Sequence, residues 1–104
     1  MPTSGRAVVS GTMHVFTEAD GPFLEASRRP LVGIPLCEAF PEPEYAPALE
    51  LYDWAARHRQ PVAFVVTAAS GETGTVTLSP EDGGLRVVWR PVPALSPVHR
   101  LPSR

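Results

Sequence analysis

The only cysteine, Cys37, opens the stretch CEAFPEPEYAP, and Glu38, Glu42 and Glu44 follow it before a helical pattern begins. A thiol near a helix start is a possible nucleophile, because the helix dipole favours the thiolate. Paired carboxylates suit acid–base work or a divalent ion. Both features have simpler accounts. The neighbouring glutamates raise a thiol pKa rather than lower it. Cys37 precedes the helix by too many residues to feel its dipole, and reads as a small apolar residue ending LVGIPLC. Glu42 and Glu44 alternate with prolines and lie where a helix N-terminus favours negative charge.

The three histidines, His14, His58 and His99, are far apart in sequence, and none forms a ligand-spaced pair. His58 falls in the last turn of the expected helix, where a cation is favoured. Ser70, in TAASGETGT, lacks the frame of a nucleophile elbow and sits in a hairpin loop. An enzyme built from Cys37, His14 and His58 would need the fold to gather them. The residues themselves point to no metal and no cofactor.

Composition removes several classes outright. All nine basic residues are Arg, so lysine-based phosphate binding and Schiff-base chemistry are excluded. There is no Asn to glycosylate. A single Cys allows no disulfide within the chain and no multi-cysteine metal site. The net charge is −2, so no global positive field draws in nucleic acid. Arg86 and Arg90 share a strand face with Val88 and not with an aromatic residue, which argues against nucleic acid as a partner. No apolar run approaches a bilayer span, and the first residues lack the core of a signal peptide. The expected location is the cytoplasm, or a soluble part of a particle. The absence of Lys and Asn, with a single Ile, fits codon usage in a high-GC bacterium or its phage.

Elements that would position these residues emerge from periodicity. A strand is expected over about 6–17, bent near Gly11, with Thr12, His14 and Phe16 on one face. EADGPF reads as a turn, LEASRR as a loop or a short helical turn, and LVGIPL (31–36) as an edge or extended segment because of Gly33 and Pro35. A helix is expected from about Ala46 to Arg59. Tyr45, Leu49, Tyr52 and Ala56 form its apolar stripe, Trp54 lies at the margin, and Asp53 and Arg57 stand at ion-pair spacing. PVAFVVTA (61–68) is apolar on both faces and reads as a central strand. TVTLS and LRVVWR alternate, and Asp82-Gly83 between them is a hairpin signal.

The expected fold class is therefore α+β, in two layers. One main helix, about 46–59, packs on a mostly antiparallel sheet of four or five strands that ends in a three-strand meander. Residues 1–90 form the compact domain and 91–104 a proline-rich arm. In that arm Val92, Leu95, Val98 and Leu101 recur every third residue, one apolar stripe of a polyproline II helix. Arg86, Val88 and Arg90 share one face of the last strand. These two groups are the expected partner-binding residues of a small non-catalytic interaction module, an accessory subunit or regulator that binds a protein or a second copy of itself. The alternatives are the small enzyme above and a carrier of a small molecule, with a pocket between helix and sheet lined by Tyr45, Tyr52, Trp54 and Trp89.

Overall fold

A computed structural model describes residues 4–39 and 45–92, Tyr45 by its backbone alone. The protein has an α+β fold. Strands β1 (Gly5–Ser10) and β2 (Val15–Ala19) are followed by helices α1 (Gly21–Ser27), α2 (Leu36–Ala39) and α3 (Tyr45–His58). Strands β3 (Val62–Thr67), β4 (Thr73–Glu81) and β5 (Gly84–Pro91) follow among the described residues. All pairings are antiparallel, and the five strands lie in the order β2-β1-β5-β4-β3.

The sheet buries one face because its strands alternate. On β5, Leu85, Val87 and Trp89 are buried while Arg86 and Arg90 are exposed. The register sets Val9 against Leu85, and Leu78 against Val87, so the buried rows run continuously across three strands. Helix α3 covers the inner side of β4 and β5 with Ala48, Tyr52 and Ala55. Tyr52 meets the Phe64 ring edge-on at 6.5 Å. Trp89 lies over Gly74, where a Cβ would come within 2.6 Å of its ring, so the glycine makes room for the indole.

Helix α1 is defined by its ends. The Asp20 carboxylate accepts from the Phe23 N–H at 3.0 Å and from the Arg6 N–H at 3.1 Å. Pro22 fits the first turn, and Arg28 closes the helix in the left-handed conformation at φ 63°. The helix then presses on β1 at Gly5, where a Cβ would stand 2.5 Å from the Phe23 nitrogen. Its last turn reaches the β3–β4 loop, where the Ser70 N–H donates to the Ala26 carbonyl.

Several local expectations are corrected. The single strand over 6–17 is two strands, because Gly11, at φ 75°, turns the chain into a hairpin rather than bending it. EADGPF is the end of β2 and the start of a capped helix, not a free turn. LVGIPL begins as a turn closed by the Ile34 N–H on the Leu31 carbonyl, and only its second half lies along the sheet edge as expected, bonded to β2 with a single bridge at Val15–Pro35. PVAFVVTA contributes an edge strand, not a central one: it pairs with β4, and its Ala63, Val65 and Thr67 are exposed. Asp53 bonds to His14 rather than to Arg57. Cys37 is exposed on α2 rather than closing a strand. Helix α3 and the Asp82–Gly83 hairpin agree with the sequence.

Asp20 serves two backbone donors, so Asp20→Ala should cost about 1–2 kcal/mol of stability, and Asp20→Asn less than half of that. Urea denaturation of both variants measures the difference.

Candidate protein-binding face

The outer face of the sheet gathers residues from strands far apart in sequence. Arg6 stands opposite Val88, and Val8 opposite Arg86. On the other side of β5, Val88 faces Thr77, Arg86 faces Ser79 and Arg90 faces Thr75. The middle of the face is thus a checkerboard of Arg6, Val8, Arg86 and Val88, with Arg90 beyond it. Both valines are half-buried and all three arginines exposed. The guanidinium of Arg86 pairs with the Glu81 carboxylate. This exposed pair orients the side chain more than it stabilises the fold. Arg6 is diagonal to both Arg86 and Arg90, so like charges crowd a patch with an apolar floor. A recess of about 510 Å³ opens beside it, lined by Arg6, Val8, Glu18, Asp20, Glu81 and Arg86 among others.

Arg86, Val88 and Arg90 therefore lie on one surface, as their alternation implied. Arg6 and Val8 join them only through strand order. Val92 is exposed, and its N–H extends the ladder to the Thr73 carbonyl. Leu95, Val98 and Leu101 lie outside the described residues, as do Glu42, Glu44 and His99.

The aromatic residues separate. Tyr52 and Trp89 are buried in the core. Trp54 is exposed, its ring 4.5 Å from that of His58. The side chain of Tyr45 lies outside the described set. Burial pushes the Tyr52 phenol above its ordinary value of 10.0. Its ionisation therefore opposes folding only when the pH passes the unfolded value, so stability should fall above about pH 10. Thermal melts between neutral pH and pH 11 test this, with Tyr52→Phe as the variant that should lose the dependence.

His14 has a structural partner. It is only 3% exposed and takes a left-handed backbone at φ 52°. Its Nε2 lies 2.7 Å from the Asp53 Oδ1, and its ring meets Tyr52 edge-on at 5.6 Å. The bond ties the β1–β2 hairpin to α3. Asp53→Ala leaves a buried imidazole nitrogen without its partner. The expected loss is about 1 kcal/mol, at the low end of the range because the Asp53 side is open to water. Asp53→Asn keeps an acceptor and should lose less, as chemical denaturation would show. No residue spacing signalled this contact, since the two positions are 39 apart.

Among the described residues, no group of three or more His, Cys, Asp or Glu could hold a metal ion. No helix among them is long and apolar enough to cross a membrane. No protein-family model matches the chain, and no curated protein matches it in sequence. In fold it is similar to a solved domain of an HTR-like protein from Haloarcula marismortui. The TM-score is 0.71 at 14% identity, covering 86% of this chain and 98% of that one. At that identity the likeness shows the fold alone.

Proposed function

We propose that this protein is a small non-catalytic interaction module, an accessory subunit or regulator, that binds a protein partner through the outer face of its sheet. The observation that carries the reading is the arginine–valine checkerboard of Arg6, Val8, Arg86 and Val88. A solvated sheet face needs polar residues, but it does not need three arginines grouped around half-buried valines. The arrangement suits a partner that presents carboxylates beside aliphatic side chains. Charge then steers the encounter, and the valines supply apolar contact once water is expelled. Arginine suits such a site because its planar fork takes carboxylates two bonds at a time.

The arm from Pro91 onward is the second contact in this proposal. The reading rests on sequence alone: Val92, Leu95, Val98 and Leu101 recur every third residue between prolines, a spacing expected to keep the entropy cost of docking low. The place of action is the cytoplasm or a soluble particle.

The test is an affinity capture that compares the intact chain, an Arg86→Glu/Val88→Asp variant and a chain ending at Pro91. A partner held by the intact chain should bind the face variant at least about 100-fold more weakly, since the change removes both a charge pair and apolar contact. The melting temperature should fall, because Val88 is half-buried and Arg86 pairs with Glu81, and circular dichroism checks that the variant is still folded. Retention of the same partner by the face variant would overturn the proposal. A loss on truncation alone would move the site to the arm.

A further inference from the structure

The two edges of the sheet are treated differently by the chain. The β2 edge is covered by residues 33–36. The Phe16 N–H donates to the Ile34 carbonyl at 3.0 Å, the Gly33 N–H to the Phe16 carbonyl at 2.7 Å, and the Leu36 N–H to the His14 carbonyl at 3.1 Å. The opposite edge, β3, pairs only with β4 among the described residues. We propose that this free edge is the docking site for a second copy of the chain, with the two β3 strands pairing antiparallel about a two-fold axis at Val65.

Ladder parity shows which groups are free. The Ala68 N–H donates to the Glu72 carbonyl at 2.8 Å, and the register continues through Thr67–Thr73 to Val62–Leu78 without a shift. Bonds to β4 in an antiparallel pair fall on alternate residues, so Val62, Phe64 and Val66 make them. The N–H and C=O groups of Ala63, Val65 and Thr67 point away from the sheet. Exposed edges are normally guarded by a charge, a bulge or an internal proline. From Pro61 to Ser70 there is no charged residue, and no proline lies within the strand. Val65 is 69% exposed, the most open of the large apolar side chains in the described chain.

The occupant follows from self-complementarity. With the axis at Val65, Val65 pairs with its own copy, and Ala63 pairs with Thr67 of the second copy in both directions. Every outward N–H and C=O then finds a partner, and the two exposed valines cover each other. The neutral edge brings no like charges together. The same axis sets the Arg59 end of each strand beside the Glu72 loop of the other, so the flanking charges attract. The outer face, with Arg6, Arg86 and Arg90, offers no comparable fit to its own copy. The β3 edge is separate from the checkerboard, so a dimer leaves that face free.

Sedimentation of the full chain between about 1 μM and 1 mM reads the assembly directly, because an edge pair is smaller than a standard interface and should be weak. The expected result is a monomer–dimer equilibrium. Val65→Pro removes an outward donor without touching the β4 ladder, and Val65→Lys adds the missing guard. Each should weaken dimerisation by about tenfold or more while circular dichroism stays unchanged. Cysteine variants on a Cys37→Ser background test the register without relying on either substitution. Val65→Cys should cross-link under mild oxidation, because paired Cα atoms about 5.5 Å apart suit a disulfide. Ala63→Cys should not, its copy lying about 13 Å away along the strand. A chain that stays monomeric to the highest concentration would overturn the proposal. So would a dimer indifferent to both Val65 variants, or one that cross-links through position 63 rather than 65. An unchanged dimer in Arg86→Glu/Val88→Asp separates this result from the fate of the outer-face reading.

Discussion

The pairing of β5 with β1 is the contact on which the molecule depends. It joins the last described strand to the first, and it alone brings the N-terminal hairpin to the C-terminal meander within the sheet. Once Ala7 meets Val87 and Val9 meets Leu85, the inner rows of β1 and β4 become one surface. The helices then have a floor to cover. The same register sets Arg6 against Val88 on the other side, so the buried core and the exposed face are two consequences of one alignment. A slip by one residue would bury arginines and expose leucines. Such a contact costs more loop-closure entropy than either hairpin, since most of the chain lies between its partners.

The helix layer is fastened at a few points besides apolar packing. Asp20 holds the start of α1 and the Arg6 amide together. His14 and Asp53 join the first hairpin to α3. The Arg29 guanidinium donates to the Glu38 carbonyl at 2.7 Å, tying the exit of α1 to α2. Each fastening links a turn to a helix, where apolar packing alone would leave direction undetermined. Together they keep α1, α2 and α3 on one side, and the outer face is left clear.

How much of this was legible depended on whether the information was local. Alternation in LRVVWR and the Asp82-Gly83 turn gave the meander, and with it Arg86, Val88 and Arg90 on one face. The 3.6-residue period gave α3 to within a residue at each end. Asp20-Gly21-Pro22 carried a readable cap signal, but the same residues also suit a turn, and the short helix behind them left little period to decide between the two. PVAFVVTA misled because an apolar outer face usually means a covered strand, whereas here Val65 stays exposed. Arg6 and Val8 could not be assigned to the face, since strand order is not written in any one strand. The His14–Asp53 bond likewise depends on where the hairpin lands.

The two tryptophans lie in different layers of the protein. Trp89 is enclosed over Gly74 on the inner side of the same strand that presents Val88 and Arg90 to solvent. Trp54 stands open on the helix layer beside His58. Their fluorescence therefore separates two regions: a dissolved quencher reaches the helix indole first, while the sheet indole keeps its blue emission until the ladder itself gives way. A ligand seated on the outer face would be felt by the enclosed ring through one strand's thickness, and the exposed ring would serve as an internal reference.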